Sequence, residues 1–128
     1  MKIYNFGPSH GEKIENFNSD FIFSKIARST AEVKVSCFHL AENGVVGYHE
    51  AVTMKLFLVL KGMGWARGNF PNRIPIVEFQ AVFWDVNEWH EVGTDLGLIA
   101  IVIEGDFLNP FDFMNLDWED ISRHADRP

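Results

Sequence analysis

Short apolar runs, some alternating with polar residues and some continuous, organise this chain of 128 residues. Glycine, proline, asparagine or aspartate breaks them at intervals of roughly 8–12 residues, the spacing of an all-β sandwich or barrel. Candidate strands cover 2–6, 21–27, 32–40, 45–51, 54–61, 63–68, 73–79, 80–86, 88–93 and 98–104. Gly62-Met63-Gly64 is expected to reverse the chain between two of them, since glycine tolerates positive φ. Gly93-Thr94-Asp95-Leu96-Gly97 is expected to do the same before the last strand. Leu56–Leu60 and Leu98–Ile103 are apolar at every position, so both faces of these strands need cover. A barrel lumen covers one face, and a second sheet or another subunit must cover the other. A homodimer is the expectation.

Near its end the chain changes character. Asn109-Pro110 offers a helix N-cap and a first-turn proline. Phe111, Met114, Trp118 and Ile121 then fall on one stripe of a short helix, expected to pack over the barrel or a dimer seam. Residues 106–128 carry six acids and two arginines, which reads as a solvated acidic tail. One domain, 1–128, accommodates the whole pattern: N-terminal strands in 1–31, a barrel core over about 32–105, and the acidic helix and tail in 106–128.

Composition narrows the choices. Aromatic residues make up 14% of the chain, with twelve Phe and four Trp. Such side chains suit a compact β core or a ring-lined pocket. The net charge is −7 and no Lys/Arg cluster occurs, which argues against nucleic acid or an anionic membrane as partner. Cys37 is the lone cysteine and is expected to be a buried small hydrophobe. With a free thiol, no signal-type apolar run and no stretch long enough to span a bilayer, the cytoplasm is the expected location.

Two short segments carry the chemistry, Gly47-Tyr48-His49-Glu50-Ala51 and Asn87-Glu88-Trp89-His90-Glu91. The stretch from Asn43 through His49 and Lys55 to Gly62 resembles the first motif of the cupin superfamily. That motif runs Gly, five residues, His-x-His, three or four residues, Glu, six residues, Gly. His49 matches its first histidine and Gly62 its closing glycine; Ala51 stands for the second histidine, Lys55 for the acid and Asn43 for the leading glycine. Phe79–Thr94 lies over the second motif, where His90 is identical. There Asp85 replaces a proline, Asn87 a turn glycine and Thr94 an asparagine. The resemblance covers about residues 32–105. It implies an all-β cupin fold, a double-stranded β-helix or jelly-roll barrel, like that of small single-domain bacterial cupins of unassigned function.

For a metal, the resemblance implies only two ligands, His49 and His90. Two imidazoles can bind Zn, Fe, Mn or Ni, but a useful site needs three or four ligands. A Lys55 ammonium beside the ion would oppose binding by about 4 kcal/mol per unit charge at 4 Å and an effective dielectric near 20. The same residues suit a receptor for a small polar or anionic molecule. In that reading Lys55 supplies charge, His49 and His90 donate hydrogen bonds, and Trp65, Trp84 or Trp89 form walls. Arg67 adds a fork if it faces inward. This reading expects a lumen open to solvent, with Lys55 pointing into it. Three classes stay open: a metal-free binding module, a metal-dependent enzyme of dioxygenase, isomerase or lyase type using His49 and His90, and a structural or regulatory dimer.

Overall fold

The structure, a computed structural model, describes residues 1–117. Its strands are β1 (Lys2–Asn5), β2 (Glu12–Ile14), β3 (Phe21–Phe23), β4 (Val33–Leu40), β5 (Val45–Glu50), β6 (Met54–Arg67), β7 (Ile74–Val77), β8 (Gln80–Trp84), β9 (Trp89–Gly93), β10 (Leu98–Gly105) and β11 (Asn115–Leu116). All neighbouring strands pair antiparallel. One layer has the order β11-β1-β8-β6-β10-β4, and in the other β5 pairs with β9, β9 with β6 and β6 with β7. The β2–β3 hairpin stands apart. Among the described residues no helix is long and apolar enough to cross a membrane.

β6 belongs to both layers. Its first half pairs with β8 and β10, and its second half with β7 and β9. The expected reversal at Gly62-Met63-Gly64 therefore does not occur: strands 54–61 and 63–68 are one strand of 14 residues. The glycines serve close approach instead. Gly62 has φ +87°, and a Cβ there would run into the Gly97 carbonyl; at Gly64 it would run into that of Gly93. Beside them lies a bulge. Val59 pairs with Ala100 and Lys61 with Ile99, leaving Leu60 without a partner across the ladder. An unpaired residue bends the strand and reverses its alternation.

That reversal governs what faces inward. Before the bulge, Phe57 and Val59 point into the core between the layers; after it, Ala66 does. The same core takes Val82 and Trp84 from β8, Ala100 and Val102 from β10, Val92 from β9, and Ile74 and Ile76 from β7. Leu56 and Leu58 face the other way and are covered within the chain, by Leu108 and Met114 with Ile26 and Ala27 packed alongside. The cover that motivated a homodimer is thus supplied by the chain's own N- and C-terminal segments.

Two further expectations change. The helix beginning at Asn109-Pro110 is a single 3-10 turn, Pro110–Asp112, after which the chain returns to strand at Asn115–Leu116. That strand extends the ladder from β1, so backbone pairing displaces the helix. Met114 is buried and Phe111 exposed, while Trp118 and Ile121 lie outside the described residues. Cys37 is exposed rather than buried, because β4 is an edge strand whose outward residues include Val35, Cys37 and His39.

Candidate functional site

Lys55, on the inward face of β6, has 8% of its surface exposed. A lysine this buried needs partners for its ammonium. Lys55 Nζ donates to His90 Nε2 at 3.1 Å and pairs with Glu104 Oε1 at 3.2 Å. Strand register places both partners: Glu104 lies directly across from Lys55 on β10, and His90 projects inward from β9. His49 lies opposite His90 on β5, with the two rings 4.2 Å apart between centroids. The Trp84 ring, fully buried, lies 4.7 Å from His90 on another side.

Hydrogen bonding fixes the roles of the ring nitrogens. An ammonium can only donate, so His90 Nε2 is the acceptor and carries no proton. His90 Nδ1 then holds the hydrogen and donates to the Glu88 carbonyl at 3.4 Å. Burial first, then the Lys55 charge and the neighbouring His49, push the His90 pKa down to about 4. The imidazole is neutral at pH 7. His49 is solvent-exposed, and its Nδ1 donates to the Gly47 carbonyl at 2.6 Å. His90 is therefore not a donor to a ligand, in contrast to the expectation from sequence.

The turns that hold these residues fit their sequences. Asn43 and Asn87 have φ near +60° to +70°, at 61° and 69°, a region asparagine tolerates better than most residues. Asn87 N–H donates to the Ala51 carbonyl and Ala51 N–H to the Glu88 carbonyl, which ties the β5 and β9 ends together. Ala51 itself is buried.

Of the seven residues singled out from sequence, His49, Lys55, His90 and Trp84 come together. Trp65, Arg67 and Trp89 do not. Arg67 Nε binds Glu91 Oε1 at 2.7 Å, and its guanidinium lies 3.8 Å from the Tyr48 ring centroid. Trp89 packs on Tyr48 at 5.3 Å, and Arg73 covers Trp65 at 3.9 Å. All of these lie on the outer face of the β5-β9-β6-β7 layer, because the Leu60 bulge turns Trp65 and Arg67 outward and alternation turns Trp89 away from His90. Glu50 is exposed, Glu91 is held by Arg67, and Glu88 binds the Met1 amino group. Sequence reasoning missed Glu104. It continues the inward alternation of Ala100 and Val102, but in a run apolar on both faces that parity could not be assigned to a side.

Beneath the site the interior is filled by Trp84, Phe57, Val59 and Val82. Open space lies at the rim. A depression of about 300 Å³ is lined by Val33, Lys34, Val52, Thr53, Glu104 and Gly105, among others. Glu104 thus faces both the depression and the buried ammonium.

Solved structures share this architecture. A cupin superfamily protein from Desulfitobacterium hafniense superimposes with a TM-score of 0.53 at 18% identity, over 62% of this chain and 74% of that one. An RmlC-like cupin from Shewanella frigidimarina gives 0.55 at 12% identity, over 59% of this chain and 68% of that one. The chain has a cupin fold. A conserved protein with a double-stranded β-helix domain from Klebsiella pneumoniae gives 0.54 at 10% identity, over 73% and 82%. No protein-family model and no curated protein matches the chain. At these identities the likeness speaks for the fold and not for chemistry.

A cupin barrel raises the question of a metal ion, and the donor set here does not fit one. Among the described residues no group of three or more His, Cys, Asp or Glu side chains is arranged to hold an ion. Of the two histidines, His90 has its unprotonated nitrogen turned to the Lys55 ammonium. A dication there would displace a hydrogen bond and meet a like charge at contact distance.

Proposed function

We propose that this cupin-fold protein is a metal-independent binding module for a small, uncharged polar molecule at the barrel mouth. The observation that carries this reading is the Lys55–Glu104 pair, whose ammonium is buried and whose carboxylate lines the rim depression. The pair is electrically balanced. An anion would have to compete with a carboxylate already in place, whereas a hydroxyl or carbonyl group would not. Lys55 directs its charge at His90 and Glu104 and has three N–H donors, so one remains for an incoming oxygen. Glu104, which lines the depression, is an acceptor for a hydroxyl proton. A vicinal diol or hydroxy-carbonyl group satisfies both kinds of partner.

Isothermal titration and NMR shift perturbation with polyols, sugars and hydroxy-ketones, set against simple carboxylates, test the proposal. The uncharged ligands should bind with shifts centred on His49 and Thr53. Lys55→Met and Glu104→Gln should each weaken binding at least tenfold, and Arg67→Met on the outer face should leave it unchanged. Preference for carboxylates, or binding indifferent to Lys55 and Glu104, would overturn the reading.

A further inference from the structure

β4 closes one side of its layer and, among the described residues, pairs with β10 alone. Its other edge therefore presents a row of backbone N–H and C=O groups with no strand beside them. Natural edges of this kind are blunted by proline, charge or a bulge. From Val35 to Leu40 this one has no proline and no Lys, Arg, Asp or Glu, and its pairing with β10 runs without a register shift over all eight residues. The side chains beside the edge are apolar and open. Val33, Val35 and Cys37 point outward from β4, Val35 with 62% of its surface exposed. The cover supplied by the chain's own ends reaches Leu56 and Leu58 but no residue of β4. Phe107 and Phe111, in the segment that follows β10, are themselves 63% and 65% exposed, and Gly105 just before them sits against Val33. We infer that β4 is the interface with a second copy of this chain, the two β4 edges pairing antiparallel across a two-fold axis so that one sheet runs through both copies.

The edge itself selects that occupant. A two-fold pair sets one strand against its own sequence, and β4 is compatible with itself. Residues directly across a ladder share a face, so outward residues must oppose outward residues. With the axis at Ser36, Val35 stands opposite Cys37 of the second copy and Val33 opposite His39. Lys34 is the sole Lys, Arg, Asp or Glu in 33–41, and antiparallel pairing keeps the two Lys34 side chains about 13 Å apart along the ladder. The net charge of −7 opposes self-association in general, but no carboxylate lies in this stretch to be set against its copy. The area is also adequate. Val33, Val35, Cys37, Phe107 and Phe111 expose on the order of 400 Å² of apolar surface per copy, within the range of the largest patch a monomer carries. Doubled across the axis and joined by the two backbone edges, this reaches the roughly 1,000 Å² that a specific interface needs. Glu32, Val33 and Lys34 also line the rim depression, so the pairing places the second copy beside it.

The interface does not depend on which molecule binds at the mouth, and its test needs no ligand. Light scattering and sedimentation of the full chain at micromolar concentration should give twice the mass of one chain. The two Cys37 side chains should lie diagonally across the new ladder, about 7–8 Å apart and within reach of a short bismaleimide. Cys37 is the only cysteine, so a cross-linked pair of chains reports this edge. Val35→Lys should weaken dimerisation at least tenfold and abolish the cross-link. Phe17→Ser, at the 98% exposed tip between β2 and β3, should change neither. Hydrogen exchange on wild type tests the same edge without a substitution: β4 amides should be protected in the dimer and lose that protection on dilution. A monomer at micromolar concentration, a dimer that resists Val35→Lys or fails to cross-link at Cys37, one lost on Phe17→Ser, or β4 amides whose exchange ignores concentration would overturn the inference.

Discussion

β6 carries a cation near each end, and the two are used in opposite ways. Lys55 faces the lumen, shares its protons between a neutral imidazole and a carboxylate, and is 8% exposed. Arg67 faces outward, binds Glu91 and lies on the Tyr48 ring. The outer cluster is a self-contained ion pair with aromatic cover, complete without anything further. The inner one leaves a partly exposed carboxylate, Glu104, at the rim depression. Strand, residue type and partner chemistry are similar in both. What separates them is the single bulged residue, Leu60.

The comparison breaks most severely at the crossing itself. Gly62→Ala places a side chain against the Gly97 carbonyl at φ +87°, and should destabilise the fold by roughly 2–5 kcal/mol from backbone strain and overpacking. Urea denaturation checks this, and both clusters should loosen together, seen in the NMR shifts of His90 and Trp89. A loss below about 1 kcal/mol would mean that β6 does not need its glycine there.

Acid should separate the clusters. His90 has a pKa of about 4 in the folded protein against 6.5 when unperturbed. The unfolded chain therefore binds the proton more readily, so this contribution is present in full above pH 6.5. It is lost as pH falls from 6.5 through 4. The depression corresponds to about 3 kcal/mol of stability. His90→Gln should flatten that part of the stability-pH profile, whereas Arg67→Met should leave its shape intact.

Lys55→Met removes one partner of a buried arrangement, leaving His90 Nε2 without a donor and Glu104 without a counter-charge. A cost of about 2 kcal/mol is expected. Arg67→Met, at an outer ion pair and a cation-π contact, should cost about 1 kcal/mol or less. Equal costs in parallel denaturation curves would show that the inner cluster is no more demanding than the outer one.

Much of this was legible in the residues. Alternation within short runs defined most strands, and the motif segments around His49 and His90 are ones that the fold pairs across two strands. Asn87 accepted the left-handed turn that its place after Asp85-Val86 required. The chain hid what depends on distant partners. Glycine permits a reversal and a close strand crossing equally, so Gly62-Met63-Gly64 read as a turn. Counting in twos from Lys55 carries Trp65 and Arg67 to the lumen, and only the pairing with β10 reveals the extra residue that turns them out. Leu98–Ile103 is apolar on both faces, so Glu104 gave no sign of its side. The partner covering the outer face proved to be the chain's own ends, a fact of topology that local periodicity does not carry.

The central claim is that the buried Lys55 ammonium donates to an unprotonated His90 Nε2. Long-range ¹H–¹⁵N NMR of the histidine rings tests it most directly, because nitrogen shifts distinguish the two neutral tautomers from each other and from the cation. At pH 7 the His90 ring should appear as the neutral Nδ1–H tautomer and titrate near pH 4. A His90 ring carrying its proton on Nε2, or titrating near 6.5, would contradict the account.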